Sequence, residues 1–246
     1  MSMRRFFFNT EDRTGDTVLL SAEESHHLVK VLRLQPGDRV ELLDGAGGVY
    51  QGVVTRLDRR VQLVVEKTLR MESQGKNLRV YQGILKGEKM DTVVQKCTEL
   101  GVTSFAPNES SRCQGRLSVQ QRRKKFARWQ RIGLNACKQC LRSRPMQLDM
   151  PAAFRDVISR SDGHPEEVRL LFWEDENDVH LHNIPDLGKQ LSVGLLLGPE
   201  GGLTVQEVAM AKDQGFIAVS LGQRILRAET AALAAVSIVQ YLSGNL

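Results

Sequence analysis

The alternation of apolar and polar positions divides the chain into a β-rich first part and an α/β second part. Before residue 70, short apolar or alternating runs are separated by turn signals such as Pro36-Gly-Asp38 and Asp44-Gly-Ala-Gly-Gly48, which favour chain reversal. A helix at about 23–31, capped by Ser21, interrupts these runs. Period-two patterning predicts strands at 6–8, 17–20, 39–43, 49–57 and 61–69. The first part is therefore predicted to form a small β-barrel, followed by a polar linker at 71–76.

Strands and helices alternate in the second part, which predicts an α/β domain with a mostly parallel sheet. Thr204 and Glu207 have the spacing of a capping box, and Gly215 is a natural left-handed stop for the helix between them. The predicted strands are 79–85, 103–107, 169–174, 193–197 and 216–221, and the other predicted helices are 89–100, 118–141 and 228–242.

Two glycine-containing loops follow the last two of these strands. They are Leu195-Leu-Leu-Gly-Pro-Glu-Gly-Gly-Leu203 and Leu221-Gly-Gln-Arg-Ile-Leu-Arg-Ala-Glu-Thr-Ala231. If the two strands are parallel neighbours, both loops lie at the carboxyl edge of the sheet, where open α/β sheets bind ligands. The first loop lacks the Lys-Ser/Thr of a P-loop and the spacing of a dinucleotide fingerprint. The loops thus favour a site of backbone groups and leucines that suits a nucleoside, although simple turn glycines are an equally good local explanation.

Charge is distributed unevenly although the formal net charge is only +5. Residues 112–148 contain eleven Lys or Arg and no Asp or Glu, which is a candidate footprint for a polyanion such as nucleic acid. The alternative is a solvated helix face. Trp129 and Ile132 recur at helical spacing and are expected to form a buried stripe rather than a stacking platform.

Composition favours a cytoplasmic protein without a metal site. No apolar run reaches the length of a membrane span, and the apolar stretch near the N-terminus is too short for a signal-peptide core. Four cysteines without a secretory signal indicate reduced thiols. Cys137-x-x-Cys140 lies inside a predicted helix with no second pair, and His180-x-His182 lies in a polar loop, so no metal is expected.

Several motifs together resemble one enzyme family. The two glycine loops, with His26-His-Leu-Val-Lys-Val-Leu-Arg33, Lys86-Gly-Glu-Lys-Met-Asp91, Gln95-Lys-Cys-Thr-Glu-Leu-Gly101 and Glu109-Ser-Ser-Arg-Cys113, are similar to the RsmE family of small-subunit ribosomal RNA methyltransferases. Members of that family act on uridine N3 and belong to the SPOUT, or trefoil-knot, superfamily. The similarity runs nearly end to end. It implies a PUA-like RNA-binding β-barrel at 1–72 and a knotted SPOUT α/β methyltransferase domain at 76–246. It also implies S-adenosylmethionine (SAM) as methyl donor, a homodimer, and 16S ribosomal RNA, within a ribosomal particle, as substrate.

The resemblance also implies roles for particular residues. Methyl transfer to N3 requires loss of its proton, so the site must position the base and stabilise negative charge on the ring. Arg227 is the candidate for charge stabilisation, and Glu229 for accepting the proton or orienting Arg227; a carboxylate favoured by the helix dipole is an equal alternative for Glu229. Expected cofactor contacts are Leu171, Leu197, Gly198, Glu200, Gly202, Leu221, Gly222, Ile225, Leu226 and Thr230. Expected RNA contacts are Arg4, Arg5, His27, Arg33, Lys86, Arg112 and Arg142, and for His27 capping or core packing is an equal alternative.

One position departs from the family pattern, and two rival functions stay open. The family usually carries an acidic residue before the glutamine of its long helix, whereas here Lys138 precedes Gln139, so no role is assigned to that acidic position. One rival is a non-catalytic RNA-binding protein of the same fold, which absence of SAM binding would favour. The other is a nucleotide-dependent α/β enzyme such as a small dehydrogenase, which affinity for NAD would favour.

Overall fold

The chain folds into two compact units in the computed structural model, which describes residues 3–73, 75–160 and 167–246. The N-terminal unit comprises residues 1–75 together with 137–145, and the C-terminal unit comprises 76–136 together with 146–246. A β-rich unit therefore precedes an α/β unit with a parallel sheet, which confirms the predicted fold class. The assignment of residues 137–145 to the first unit was not expected from the sequence.

The N-terminal unit is built on a six-stranded sheet. Its strands are β1 (Arg5–Phe7), β2 (Arg13–Thr14), β3 (Thr17–Leu19), β4 (Arg39–Leu43), β5 (Gly48–Leu57) and β6 (Val61–Met71). They are paired in the order β1-β4-β5-β6-β3-β2, an open path that makes a half-barrel. Only the β1–β4 pair is parallel. Phe6, Val40 and Leu63 on its strands are fully buried in its core, as the alternating pattern requires, and the fully buried Leu28 packs with them.

The helix of the N-terminal unit changes its geometry midway. It begins as α1 (Ala22–His26), and the predicted Ser21 cap is confirmed because its hydroxyl accepts the Glu24 N–H at 3.2 Å. It continues as a π-helical turn over His27–Val31, a rare geometry that recurs at functional sites. Arg33 follows with φ +56°, a left-handed conformation that non-glycine residues seldom adopt.

The C-terminal unit contains a seven-stranded sheet in which every pair is parallel. Its strands are β7 (Asn77–Gly83), β8 (Ser104–Glu109), β9 (Gln147–Leu148), β10 (Ala152–Ala153), β11 (Val168–Phe172), β12 (Ser192–Leu197) and β13 (Phe216–Val219). The order is β10-β8-β7-β12-β11-β13, and β9 pairs with β8.

Helices cover both faces of this sheet. They are α2 (Lys89–Glu99), α3 (Val119–Cys140), α4 (Phe154–Ile158), α5 (Val205–Asp213) and α6 (Ala228–Leu242). Leu195 and Leu197 of β12 pack in one core with residues of α2, α3 and α6, whereas Leu196 packs in a second core with residues of α4 and α5. The predicted burial of Trp129 is confirmed, since its side chain lies in the first core and is 1% exposed. Across the described residues, no helix combines the length and apolarity needed to cross a bilayer.

The sheet order corrects one expectation about the glycine loops. The strands that precede them, β12 and β13, are not neighbours, because β11 lies between them and pairs with both. Consecutive strands are usually adjacent, but here β13 extends the sheet beyond the earlier strand β11. All three strands are parallel, so their carboxyl ends still share one edge, and the end of β11 joins them there.

Candidate functional site

A cavity of about 590 Å³ opens at the shared carboxyl edge of β11, β12 and β13. This volume falls within the range of ligand-binding pockets, about 300–1,000 Å³. Eight of the ten residues expected to contact a cofactor line it, as does Arg227. The eight are Leu197, Gly198, Glu200, Gly202, Leu221, Gly222, Ile225 and Leu226. The two glycine loops therefore form one concave surface.

The loop after β12 folds tightly because its glycines carry no Cβ. The N–H of Gly202 donates to the Pro199 carbonyl at 2.9 Å, and its φ of +70° lies in the left-handed region. A Cβ on Gly202 would overlap the carboxylate of Glu174, which also lines the cavity. A Cβ on Gly198 would come within 3.1 Å of the Gly202 backbone. The close approach of these segments shapes the cavity wall.

The loop after β13 is more open. Gly222 has φ +107°, no heavy atom lies within 4 Å of the position its Cβ would take, and its N–H donates to the Ser220 hydroxyl at 3.2 Å. Ile225, on the cavity wall, is 89% exposed. This loop thus presents apolar surface and backbone groups to the cavity.

Lys89 joins the two loops electrostatically. Its Nζ lies 3.6 Å from a carboxylate oxygen of Glu200 in the first loop and 3.3 Å from one of Glu229 at the start of α6. Glu200 also accepts the backbone N–H of Lys86 at 3.0 Å. The Lys89 ammonium therefore links the start of α2 to the first glycine loop and to the start of α6 by ion pairs.

Glu229 is held in its ionised form. Its pKa is lowered chiefly by a hydrogen bond from its own backbone N–H at the helix start; burial, the next largest effect, raises the pKa, and Lys89 and Arg227 lower it further. A carboxylate with a lowered pKa is a weak base at neutral pH. Glu229 itself is not among the cavity-lining residues. These properties favour the orienting role over the proton-accepting one.

Two of the expected cofactor residues are not brought to the cavity wall. Leu171 is fully buried in the second core, because successive strand residues point to opposite faces; its neighbour Phe172 lines the cavity instead. Thr230 is exposed on α6.

Sequence reasoning missed several residues of the cavity wall. Examples are Lys89, Trp173, Glu174, Asn177 and Arg224. Trp173, Glu174 and Asn177 follow β11, so the carboxyl-edge argument applied to that strand would have found them. Lys89 belongs to the Lys86–Asp91 motif, but its pairing with distant carboxylates gives no local signal.

Two of the expected RNA-contacting residues lie in the C-terminal unit. Arg112 donates through Nη1 to the carbonyl of Gly201 at 2.9 Å, so its guanidinium lies against the first glycine loop. Lys86 lines a second, smaller cavity.

The other five expected RNA-contacting residues lie in the N-terminal unit. Arg4 and Arg33 are exposed. Arg5 is paired with Glu41 at 2.6 Å. The ring of His27 lies 6.1 Å from that of Phe6, which agrees with the packing alternative. Arg142 is half-buried, and desolvation lowers its pKa.

The basic run on α3 is partly neutralised. Three of its cations form ion pairs with carboxylates: Arg122 with Glu109, Arg128 with Asp91, and Lys138 with Glu24. The exposed cations on this helix that have no ion pair among the described residues are Arg123, Lys124 and Arg131. The surface available to a polyanion is therefore smaller than the run in the sequence indicates.

Comparison with known proteins gives a consistent result over nearly the whole chain. Residues 72–240 match the model of the RNA methyltransferase domain, and residues 20–66 match the RNA methyltransferase PUA domain. Ribosomal RNA small subunit methyltransferase E of Aquifex aeolicus is 33% identical over 94% of this chain and 97% of its own length. The protein of the same name from Bacillus subtilis is 30% identical over 97% and 96%. The crystal structure of the Neisseria gonorrhoeae protein of that name, bound to S-adenosyl methionine, aligns with TM-score 0.85 and 32% identity over 98% of each chain. The chain therefore belongs to the ribosomal RNA small subunit methyltransferase E family.

Proposed function

We propose that this protein transfers a methyl group from SAM to N3 of a specific uridine in 16S ribosomal RNA. The observation that carries the proposal is the cavity formed by both glycine loops at the carboxyl edge of the sheet. It occurs in a chain that is 32% identical to a ribosomal RNA methyltransferase crystallised with SAM. The uridine and its N3 atom are inferred from the family resemblance.

The residues of the cavity fit SAM. The volume of about 590 Å³ accommodates a molecule of this size. Leu197, Leu221 and Ile225 supply apolar surface for the adenine. The carboxylates of Glu174 and Glu200 suit an ammonium group and ribose hydroxyls. When bound, SAM supplies an electrophilic methyl group.

Arg227 supplies the charge stabilisation that the reaction needs. It is the N-cap residue of α6 and lines the cavity. Its guanidinium is a cation that carries several hydrogen-bond donors in a fixed plane. These donors stabilise the negative charge on a uracil ring that has lost its N3 proton. Glu229, ionised and held by Lys89, keeps the start of α6 and thereby Arg227 in place.

The N-terminal unit binds the RNA in this proposal. Its match to a PUA domain supports an RNA-binding role, and we take 1–72 as the RNA-binding domain and 76–246 as the methyltransferase domain. Arg4 and Arg33 are exposed, and Arg33 follows the π-helical turn in a left-handed conformation. Local strain of this kind persists where the surrounding structure requires it, often for binding.

The remaining inferences concern the assembly and its setting. The outer face of α6 exposes Ile238, Tyr241 and Leu242 at 40%, 70% and 45%; this apolar face supports a homodimer formed through α6. A ribosomal particle as substrate, a cytoplasmic location and the trefoil knot are inferred from the resemblance alone.

Calorimetric titration with SAM, followed by methylation of 16S ribosomal RNA and mapping of the product by mass spectrometry, tests the function. The wild-type protein is expected to bind SAM saturably and to methylate one uridine at N3. Gly198→Val, whose side chain would collide with the Gly202 backbone, is expected to lose SAM binding. Binding of RNA without SAM binding or methylation would favour a non-catalytic protein, and binding of NAD instead of SAM would favour a dehydrogenase. Either result would overturn the proposal.

A further inference from the structure

A second cavity in the C-terminal unit has the size of a small group rather than of a cofactor. Its volume is about 110 Å³, and it lies between the segments 84–87 and 113–117, with Glu109 and Lys125 completing its wall. At about 30 Å³ for each water molecule, the space corresponds to between three and four waters. A phosphate group fits such a space, whereas a whole nucleotide does not.

The charges around this cavity are positive on balance. Lys86 and Lys125 both line it, and neither forms an ion pair with a carboxylate among the described residues. Glu109 also lines it, but its two carboxylate oxygens accept hydrogen bonds from Nε and Nη2 of Arg122 at 2.9 and 2.8 Å. The Cys113 thiol is neutral, since burial raises its pKa. Two lysines therefore line a cavity whose one lining carboxylate is already neutralised.

The backbone around the cavity leaves space beside these lysines. Gly87 and Gly115 have φ of +56° and +70°, and no heavy atom lies within 4 Å of the position that a Cβ would take at either residue. Both glycines are required by the left-handed backbone and not by close packing. The cavity wall is consequently open where these two turns meet it.

The cavity adjoins the larger one through a single short segment. Lys86 lines the smaller cavity and Lys89, three residues later, lines the larger one. The backbone N–H of Lys86 donates to Glu200 of the larger cavity at 3.0 Å. The segment 86–89 therefore lines both cavities and links them along the chain.

We propose that the cavity between Lys86 and Lys125 binds a backbone phosphate of the RNA substrate, close to the target nucleotide. The inference rests on the proposed function, because it takes the substrate to be RNA. It adds Lys125 as a substrate-binding residue and assigns a backbone phosphate as the RNA group that Lys86 contacts. The contact positions the strand and does not read its sequence.

Two adjacent lysines of α3 allow a matched test. Lys125 lines the cavity, whereas Lys124 is exposed and does not. Lys125→Gln and Lys124→Gln each remove one positive charge and keep a long side chain. The dissociation constant for a 16S ribosomal RNA fragment is measured by fluorescence anisotropy across a range of KCl concentrations, together with the dissociation constant for SAM. Lys86→Gln is measured as well, since it keeps the backbone N–H that binds Glu200.

A lost phosphate contact has a defined signature. The slope of the logarithm of the association constant against log salt is negative, and its magnitude is expected to decrease by about 0.7 for Lys125→Gln and for Lys86→Gln, the value for one phosphate on a single strand. If a variant and the wild type bind RNA equally at 1 M salt, this difference in slope makes the variant bind RNA about fivefold more weakly than the wild type at 0.1 M salt. Lys124→Gln removes an exposed cation outside the cavity and is expected to change the slope by clearly less than Lys125→Gln does, and all three variants are expected to bind SAM as the wild type does.

Other outcomes separate the possible failures. Equal slopes for Lys124→Gln and Lys125→Gln, in a protein that still methylates RNA, would overturn the phosphate site alone. Failure of the wild type to methylate RNA would overturn the proposed function. Tight binding of inorganic phosphate that Lys125→Gln abolishes without any change in RNA affinity would show a site for free phosphate and would also overturn the inference. The Lys125 ammonium lies 5.6 Å from the ring of Trp129, so thermal melts are recorded in parallel; if Lys125→Gln unfolds, Lys86→Gln decides the outcome.

Discussion

Substitution of Gly202 by alanine separates the conformational role of this residue from its role in the cavity. Gly202 has φ +70°, and a Cβ there would overlap the carboxylate of Glu174. Gly215, after α5, provides a matched control: its φ is +83°, and no heavy atom lies within 4 Å of where its Cβ would be. Both substitutions introduce the same strain, but only Gly202→Ala displaces a side chain of the cavity wall.

The size of each effect follows from these geometries. A residue with a Cβ in the left-handed region costs about 1–2 kcal/mol, and 1 kcal/mol shifts Tm by about 2–4 °C in a chain of this length. Both variants are therefore expected to melt roughly 2–8 °C below the wild type. Glu174 can swing away from the new methyl group, and the hydrogen bond that we propose it makes to SAM is then lost. Loss of a hydrogen bond to a charged group costs about 1.5–3 kcal/mol, which corresponds to an increase of roughly 10- to 150-fold in the Kd for SAM.

The assay combines thermal unfolding without ligand and calorimetric titration with SAM. Gly215→Ala is expected to lose stability and keep the wild-type affinity for SAM, whereas Gly202→Ala loses both. Wild-type affinity in Gly202→Ala would show that neither the Gly202 backbone nor Glu174 contributes to cofactor binding. Equal loss of affinity in both variants would show that the loss follows from general destabilisation.

Three further predictions concern single side chains. Arg227→Ala is expected to lower the rate of methyl transfer by about 100- to 1,000-fold in single-turnover assays, with little change in SAM affinity; an unchanged rate would contradict its role in charge stabilisation. Glu229 has a folded-state pKa below its ordinary value of 4.5, so its contribution to stability is present at neutral pH and is lost as the pH falls from about 4.5 through the lowered value. Glu229→Gln should then show a shallower loss of Tm on acidification than the wild type, and parallel curves would refute this. Thr204→Ala removes the cap of α5 and is expected to cost about 1 kcal/mol in denaturant unfolding while SAM binding is unchanged; loss of SAM affinity would show that the cap also shapes the cavity.

Features that depend on local rules could be predicted from the sequence. The last helix was predicted at 228–242 and is found at Ala228–Leu242. The capping box at Thr204 is present, with the Thr204 hydroxyl accepting the Glu207 N–H at 3.2 Å. Such features require only neighbouring residues, so the sequence carries their full description. The glycine loops belong to this class as well, because each directly follows its own strand.

Features that depend on distant contacts could not be predicted in this way. The insertion of β11 between β12 and β13 reverses the usual adjacency of consecutive strands and leaves no local signal. Successive residues of β11 point to opposite faces of the sheet, and the sequence does not show which of the two sets faces the cavity. In the folded sheet Phe172 lines the cavity, whereas Leu171 is buried in the second core. Lys89 pairs with carboxylates more than one hundred residues away. In each case the missing information is which segments meet in space.

The division of the N-terminal unit into residues 1–75 and 137–145 bears on how the protein is made. Ser143 donates its backbone N–H to the carboxylate of Glu72 at 2.9 Å, and Arg70 donates to the Leu141 carbonyl at 2.6 Å. A nascent chain that has emerged only as far as residue 75 has the strands of the sheet but none of these partners. Domains generally fold as units during synthesis, so this unit can reach its final form only after translation has passed residue 145. Its maturation is therefore tied to the synthesis of more than a third of the domain that follows it.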